Sequence, residues 1–267
     1  RVLFVVATDS NFYATRMQWV FETWASALPE RDVIVIGDGP YNESLFNSSV
    51  KSTKCPAHSH NGGCCKWGMA LEYIYKKMAS EPDISWAYLA DDDAYVRVDM
   101  VREMVAVHSD PEDTGVALGI LGCGDAKCGG FCGGGGVAMN RVAVYKAVRF
   151  KLREVESEAV AWCHKCSMWA DLAITNMFTS AGVDVRKQDN LRGWRLKKKE
   201  FEASLRSAIM YHYIKTHAQM SFLHGIFNES LPSLPPNNTK NTTHCVQYQG
   251  APRCAIVPSP GDLPWDG

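Results

Sequence analysis

Three consecutive aspartates, Asp91, Asp92 and Asp93, follow an apolar run in the segment ISWAYLADDDAYVRVD. Side chains alternate along an extended chain, so Asp91 and Asp93 can face one side while Asp92 faces the other. Two carboxylates in one pocket repel each other unless a cation lies between them, which favours a divalent metal site. A turn or a helix cap is the second interpretation, because aspartate is common in both.

Histidines in the C-terminal half of the chain could add a nitrogen ligand to such a site. The candidates are His212, His217 and His224. Imidazole is a softer ligand than carboxylate, so a mixed set of ligands favours Mn²⁺ over Ca²⁺ or Mg²⁺. A lone histidine near a strand end is also common as a structural residue, and residue type does not choose among the three.

The elements that position the aspartates follow a strand–helix–strand pattern. RVLFVVAT and DVIVIGDGP are apolar runs typical of buried strands, and FYATRMQWVFETWASAL between them has apolar residues at helical spacing. A second helix is predicted from about Lys66 to Met78, and the next strand ends at Asp91. This order predicts a parallel sheet, in which ligands bind at the carboxyl ends of the strands.

Polar residues at those strand ends are candidate contacts for a nucleotide. Thr8 and Arg16 follow the first strand, and Asp38 ends the second. Arg16 and Lys66 could each hold a phosphate by charge-assisted hydrogen bonds, or could be exposed surface charges.

The glycine run at 133–136, with Gly134 and Gly135 at its centre, is a candidate sugar contact. Glycine lets the backbone approach a ligand closely because no Cβ intrudes. A flexible loop is the alternative interpretation.

The remaining predicted elements are a helix at 100–108, a strand at GVALGIL, a helix from about Met168 to Ala181, a strand at SAIMYHYIK and a short helix after it. From Asn228 onward Pro, Asn and Thr dominate, which predicts a loop-rich tail over 228–267 held by Cys245 and Cys254. The chain shows no repeat and no linker, so 1–267 is predicted to be one domain.

Ten cysteines form an even, high count in a chain of 267 residues and predict disulfides in an oxidising compartment. Five N-x-S/T triplets, which are acceptors for N-glycosylation, indicate the same, and they begin at Asn42, Asn47, Asn228, Asn237 and Asn241. We expect a glycoprotein of the secretory pathway, in the Golgi or ER lumen or secreted.

Zinc is the alternative use of the cysteines. Cys163 and Cys166 have the spacing of a ligand pair, and Cys123, Cys128 and Cys132 lie close together in the sequence. A second pair at finger-like spacing is missing from the sequence, so disulfides are the prediction.

The composition describes a globular protein, with 46% hydrophobic and 21% charged residues and a formal net charge of −1. A charge near zero gives no general reason to expect nucleic acid as a partner. No run approaches the roughly 20 apolar residues of a membrane span, and the chain starts at Arg1 without a methionine. We expect the full-length protein to be membrane-anchored by a segment outside this sequence.

Four segments resemble, in the same order, the Fringe-type β1,3-glycosyltransferases, a family that includes Fringe and core 1 galactosyltransferase. They are TRMQWVFETW, WAYLADDDAYV, FCGGGGVAMNR and WADLAITNMF. The resemblance runs from residue 1 to about 225. It implies an α/β domain of the GT-A type with a mostly parallel, Rossmann-like twisted sheet, a UDP-sugar donor, Mn²⁺, and inversion at the anomeric carbon to give a β1,3 linkage.

The resemblance also implies roles for the aspartates. Asp93 would ligate the metal directly, Asp91 would contact the ribose or sugar of the donor, and Asp92 would support the loop. The segment YHYIK stands where the family places a metal-binding histidine, which favours His212. A divalent cation would stabilise the charge that develops on the β-phosphate of the leaving UDP.

Asp171 matches the position of the catalytic base in the family. The family has two acids before a Val or Leu, whereas Ala170 precedes Asp171 here. In a single displacement the acceptor hydroxyl must lose its proton, and a carboxylate is the natural base. The alternative is a helix cap or macrodipole partner. Glu154, Glu156 and Glu158 are the nearest upstream acids that could replace it.

The sequence therefore predicts a Mn²⁺-dependent transferase that moves a hexose or N-acetylhexosamine from a UDP-sugar to a glycan or glycoprotein. UDP-GlcNAc, UDP-galactose and UDP-glucose are not distinguished. A catalytically silent lectin or disulfide-rich binding protein on the same fold is the alternative. The joint presence of Asp93, His212 and Asp171 argues against it, since a binding module needs no base.

Overall fold

A computed structural model describes residues 1–39, 50–57, 59–108, 113–132, 134–148, 154–166, 168–227, 242–248, 251–257 and 263–266. The strands are β1 (Val2–Ala7), β2 (Val33–Asp38), β3 (Val50–Thr53), β4 (Trp86–Asp91), β5 (Tyr95–Val96), β6 (Val116–Gly119), β7 (Leu121–Cys123), β8 (Gly130–Phe131), β9 (Val137–Asn140), β10 (Asp184–Lys187), β11 (Leu191–Arg192), β12 (Leu196–Lys197), β13 (Met210–Tyr211), β14 (Thr242–Tyr248), β15 (Ala251–Val257) and β16 (Trp265–Asp266). The α-helices are α1 (Gln18–Glu22), α2 (His60–Ser80), α3 (Val98–Ala106), α4 (Arg141–Val148), α5 (Val155–Lys165), α6 (Ala170–Ser180), α7 (Lys198–Ser204) and α8 (His217–Phe227).

A seven-stranded sheet has the order β10-β6-β9-β4-β1-β2-β3. Only β9 in this sheet runs antiparallel to its neighbours, so the predicted mostly parallel sheet is confirmed. Each residue of β1 is buried, and alternate side chains enter two hydrophobic clusters, Phe4 on one face and Leu3 on the other. The register pairs Ala7 with Asp91, which places the carboxyl ends of β1 and β4 side by side.

The second helix starts earlier than the sequence predicts. Helix α2 begins at His60 instead of about Lys66, and the side chain of Ser59 accepts the first-turn hydrogen bond from the Gly62 amide at 3.0 Å. Glycine lowers helix propensity, so Gly62 and Gly63 resemble a loop in the sequence. The early start brings an additional helical turn to the same edge of the sheet as Asp91.

A short antiparallel pair joins the segment after the aspartates to the segment before His212. Strand β5 pairs with β13, with Tyr95 opposite Tyr211. The backbone amide of Ile214 also donates to the Asp93 carbonyl oxygen at 2.9 Å. This pairing carries His212 to the aspartate block across a long stretch of sequence.

Several elements differ from the sequence-based predictions. The strand predicted at SAIMYHYIK is limited to β13, while β3, β9, α4 and α5 were not predicted. The tail predicted as loop contains the hairpin β14–β15, whose register places Cys254 opposite Cys245. A hairpin depends on cross-strand pairing, which composition does not reveal. All five glycosylation triplets begin at residues outside the described part of the chain, as does Gly133.

Disulfides, as predicted, account for the cysteines described. The four bridges are Cys55–Cys65, Cys64–Cys163, Cys123–Cys132 and Cys128–Cys166. Cys245 is also disulfide-bonded. The zinc interpretation is wrong, because the sulfurs it would use are in these bridges.

Candidate active site

The aspartate block leaves the end of β4 and divides as strand alternation predicts. Asp92 accepts a hydrogen bond from the Thr8 hydroxyl at 2.6 Å and one from Arg16 Nη1 at 2.9 Å. Asp91 and Asp93 lie on the opposite side with His212, and the three offer ligand atoms within 4.8 Å of one another. Asp92 thus fixes the loop, while the other two acids face a shared space.

Asp93 is buried, with 5% of its surface exposed, and has three cationic partners, of which Arg16 is the most distant, with its Nη1 4.0 Å from Asp93 Oδ2. His212 Nε2 lies 2.9 Å from its Oδ1, and the Lys215 ammonium pairs with its Oδ2. Burial alone would raise the pKa of Asp93, but the hydrogen bond from His212 and the charges of His212 and Lys215 hold that pKa well below its usual range. Asp93 is therefore a permanent anion at neutral pH.

The His212 ring is held from a second side by the backbone. Its Nδ1 donates to the carbonyl oxygen of Gly193 at 3.0 Å, which leaves Nε2 toward the aspartates. A backbone or carboxylate acceptor on the other ring nitrogen is the usual arrangement for a metal-ligating histidine. The rival histidines have other partners, since His217 pairs with Glu22 and His224 contacts Tyr95.

Asp91 accepts a hydrogen bond from the indole N–H of Trp67 at 3.0 Å. Burial, together with repulsion from Asp93, raises the pKa of Asp91 to about 6. A cation between Asp91 and Asp93 would remove this repulsion, and carboxylate oxygens with one imidazole nitrogen form a donor set suited to Mn²⁺. The residues present therefore fit a divalent metal ion.

A cavity of about 240 Å³ opens beside these acids. Its described lining residues are Ala7, Thr8, Asp9, Phe12, Arg16, Ser59, Gly63, Lys66, Trp67, Asp91, Asp92, Asp93 and His212. The lining therefore joins the ends of β1 and β4 with the first turns of α2. Of the predicted site residues, Asp38, Gly134, Gly135 and Asp171 are not part of this lining.

Lys66 is a buried cation between two acids. Its Nζ pairs with Asp9 and lies 3.7 Å from Asp38 Oδ2. Burial lowers the pKa of Lys66 to about 8, although the charges of Asp92 and Asp91 oppose the shift. Asp38, also buried, contacts the site through Lys66. The sequence alternative of an exposed surface charge does not apply to Lys66.

The two predicted glycines lie outside the cavity lining. Gly134 has a φ of +68°, and a Cβ there would overlap the His212 ring. The carbonyl oxygen of Gly135 accepts a hydrogen bond from the Tyr88 hydroxyl at 3.2 Å. Gly134 therefore permits the histidine to occupy its position, a different use from the close sugar contact that the sequence suggested.

Asp171 is buried in the first turn of α6, next to the N-cap residue Trp169. Burial raises the pKa of Asp171 to about 6, while the backbone amides of Leu172 and Asp171 and the charge of His212 oppose the shift. Asp171 is thus within electrostatic reach of His212 although it lies outside the cavity lining. Its place inside the helix shows that it is not the N-cap.

Sequence comparison decides which family this site resembles. Residues 1–122 match the Fringe-like family. The predicted resemblance is confirmed over this range, which contains the aspartate block but ends before the glycine segment and Asp171.

Two relatives are both named as fringe proteins. The β-1,3-N-acetylglucosaminyltransferase lunatic fringe of Xenopus laevis is 32% identical over 114 residues, which cover 42% of this chain and 29% of that protein. The β-1,3-N-acetylglucosaminyltransferase radical fringe of Notophthalmus viridescens is 28% identical over 111 residues, 40% of this chain and 26% of that protein. The aligned region spans less than a third of the length of either relative.

A solved structure is similar over most of the fold. The galactosyltransferase LgtC, in complex with donor and acceptor sugar analogues, aligns with a TM-score of 0.50 at 14% identity and covers 88% of this chain and 98% of that chain. At this identity the likeness shows the fold alone. The chain has a GT-A fold, as predicted.

Among the site residues missed from the sequence, three have side chains that pair with predicted ones. They are Lys215, which pairs with Asp93, Asp9, which pairs with Lys66, and Trp67, which donates to Asp91. Each is close in sequence to a residue that was recognised, so proximity to Thr8, Lys66 or His212 was the available signal.

Proposed function

We propose that the protein is an inverting glycosyltransferase that uses a UDP-sugar and Mn²⁺ and forms a β1,3 linkage on a glycan or glycoprotein. The observation that carries the proposal is the convergence of Asp91, Asp93 and His212 at the carboxyl end of a parallel strand. The Fringe-like match and the activity for which the two relatives are named, β-1,3-N-acetylglucosaminyl transfer, support it.

The proposed metal ligands are Asp93 and His212, with Asp91 as a third candidate. When bound, the cation supplies a Lewis acid that neutralises charge on the diphosphate leaving group. Asp93 holds its negative charge at all physiological pH values, and Gly193 keeps the ring of His212 turned toward it. These contacts preorganise the ligands before the donor arrives.

The proposed nucleotide contacts are the cations and polar groups around the cavity. Arg16 lies across the Phe12 ring, with its guanidinium carbon 3.9 Å from the ring centroid, and is held by Asp92. Lys66 is buried and also lines the cavity. A diphosphate between the two would receive charge-assisted hydrogen bonds. Thr8 supports Arg16 through its hydrogen bond to Asp92, and Asp38 supports Lys66 directly.

Asp171 is the proposed base. As a carboxylate it accepts the proton of the acceptor hydroxyl during attack on the face opposite UDP. Its pKa is raised to about 6, which is close to neutral pH. A carboxylate with this pKa accepts a proton more readily than an ordinary aspartate does, yet it is still mostly ionised at pH 7. The two backbone amides that contact the carboxylate keep it oriented.

A location in the secretory pathway is supported by the disulfides, which persist in oxidising compartments. Over the part of the chain that the structure describes, the helices are too short or too polar to cross a membrane. An anchor in the full-length protein stays a proposal.

The test is UDP release and sugar transfer from UDP-GlcNAc, UDP-galactose and UDP-glucose, with Mn²⁺ and with excess EDTA. We expect one donor to be preferred and activity to disappear in EDTA. Full transfer in EDTA would exclude the metal role. Binding of a donor without any cleavage or transfer would favour a catalytically silent binding protein.

A further inference from the structure

Four large hydrophobic side chains are exposed within the described part of the chain. They are Val107, Trp169, Trp194 and Tyr213, with 77%, 54%, 52% and 41% of their surfaces exposed. Three of the four are aromatic, and each aromatic residue is a close sequence neighbour of a site residue. Trp169, Trp194 and Tyr213 do not line the cavity, but exposed aromatic side chains beside a site are candidates for binding a ligand.

Trp169 lies on the Asp171 side of the cavity. It is the N-cap residue of α6, two positions before Asp171. Its ring meets the His60 ring edge-on with centroids 4.8 Å apart. His60 opens α2 directly after Ser59, which lines the cavity. The indole is thus placed beside the cavity wall formed by α2.

Trp194 and Tyr213 lie on the metal-ligand side. The Tyr213 ring centroid is 4.2 Å from that of His212. Trp194 follows Gly193, whose carbonyl oxygen accepts the hydrogen bond from His212 Nδ1. Both aromatic residues are therefore attached to the backbone that positions the histidine.

The backbone is strained at two of these places. Met168 and Tyr213, with φ of 66° and 63°, are the non-glycine residues in the left-handed region among those described. This conformation is unfavourable for residues with a Cβ and persists where the surroundings enforce it, often at ligand sites. One strained residue is Tyr213 itself, and the other immediately precedes Trp169.

We propose that Trp169, Trp194 and Tyr213 are the acceptor-binding residues and stack against a pyranose ring of the acceptor glycan. This inference rests on the proposed function. The C–H groups on one face of a pyranose carry partial positive charge, and the face of an aromatic ring is electron-rich, so the two attract. Stacking leaves the ring hydroxyls free, and one of them can then reach Asp171.

The test measures KM for donor and acceptor separately in Trp169→Ala, Trp194→Ala and Tyr213→Ala, using methyl glycosides of common hexoses, N-acetylhexosamines and 6-deoxyhexoses as acceptors. Loss of one stacking ring should raise the acceptor KM about 3- to 10-fold. Donor KM and UDP release to water should stay within about twofold, because these residues do not line the cavity proposed to hold the donor. The Phe variants should recover most of the acceptor affinity.

Val107→Ala is the matched control, because this exposed side chain lies at the opposite end of the sheet. The adjacent His108 ring packs on Trp86 at the start of β4, with centroids 6.5 Å apart. Val107→Ala should change neither KM. Thermal melting of every variant should match the wild type, since exposed side chains contribute little to stability.

The outcomes separate the two proposals. Unchanged acceptor KM in all three Ala variants, or an equal rise in donor KM, would overturn the acceptor assignment and leave the proposed function intact. If the wild type cleaves no UDP-sugar, the proposed function fails instead. Saturation-transfer NMR with the same methyl glycosides then tests whether the three aromatic residues bind sugars. Binding that the Ala variants lose supports the acceptor assignment, and absence of binding overturns it.

Discussion

His212 is held between two partners, with Nε2 2.9 Å from Asp93 Oδ1 and Nδ1 3.0 Å from the Gly193 carbonyl oxygen. The second contact fixes the orientation of the ring, and the first directs the remaining nitrogen to the acids. A ligand nitrogen placed in this way contributes to metal affinity only if the ring stays in its position.

His212→Ala should weaken Mn²⁺-dependent UDP binding by about 10- to 100-fold, the range seen when a metal site loses a supporting contact. His217→Ala is the control, because His217 is exposed and pairs with Glu22. Isothermal titration calorimetry measures both. The reverse order of the two losses would move the metal ligand to His217.

Gly134→Ala should disturb the same histidine without removing it. A Cβ at Gly134 would overlap the His212 ring. Gly182 has nearly the same φ, +69° compared with +68°, and a Cβ there meets nothing within 4 Å. Both substitutions should cost about 1 kcal/mol of stability through backbone strain, but only Gly134→Ala should reduce Mn²⁺ affinity. Equal affinity in both variants would contradict the contact.

Lys215 should compete with a cation for Asp93. Its ammonium pairs with Asp93 Oδ2, and its side chain is 45% exposed. Lys215→Met should therefore tighten binding of Mn²⁺ alone by about two- to fivefold, as expected for the loss of a partly exposed ion pair. Lys198→Met, in an exposed pair with Glu202, is the control. Weaker Mn²⁺ binding by Lys215→Met would show that the lysine assists the site.

Asp171→Asn should lower kcat by roughly 10²- to 10⁴-fold while Mn²⁺ and donor affinity stay nearly unchanged. Asp93→Asn should lose donor binding as well, because Asp93 faces the metal position. If Asp171 only interacted with the helix macrodipole, the Asn variant would lose about 1 kcal/mol of stability or less and keep its turnover. Near-normal turnover would redirect the search for the base to Glu154, Glu156 and Glu158.

The pH profile of transfer should have an acid limb near 6 when the cation is saturating at each pH. The pKa of Asp171 is raised to about 6 by burial, so the carboxylate proposed to accept the proton is lost as the pH falls through that value. Activity should therefore decrease below about pH 6 and form a plateau above it. A limb near 4, the ordinary value for aspartate, would show that another group titrates.

Local pattern was sufficient for the first half of the site. β1, β2 and β4 are continuous apolar runs, and polar residues at their ends had to meet at one edge of a parallel sheet. Strand alternation then predicted that Asp92 would separate from Asp91 and Asp93, and its bonds to Thr8 and Arg16 confirm this.

The rest of the site depends on long-range contacts, which the sequence pattern does not reveal. The position of His212 depends on pairing between β5 and β13, two-residue strands with no detectable periodicity of their own. The family resemblance, which places a histidine there, supplied what periodicity could not. The start of α2 was missed because glycines that disfavour a helix are held in one by Ser59 and two adjacent disulfides.

The spacing of these two bridges along the chain determines which of them can form first during synthesis. Cys55 and Cys65 are 10 residues apart and can pair soon after they emerge, whereas Cys64 must wait for Cys163, which follows 99 residues later. We expect a free Cys64 thiol beside the finished bridge during that interval, and thiolates attack neighbouring disulfides. Exchange between the Cys64 thiol and the Cys55–Cys65 bridge therefore stays possible at the start of α2, which lines the cavity, until Cys163 has been synthesised and can pair with Cys64.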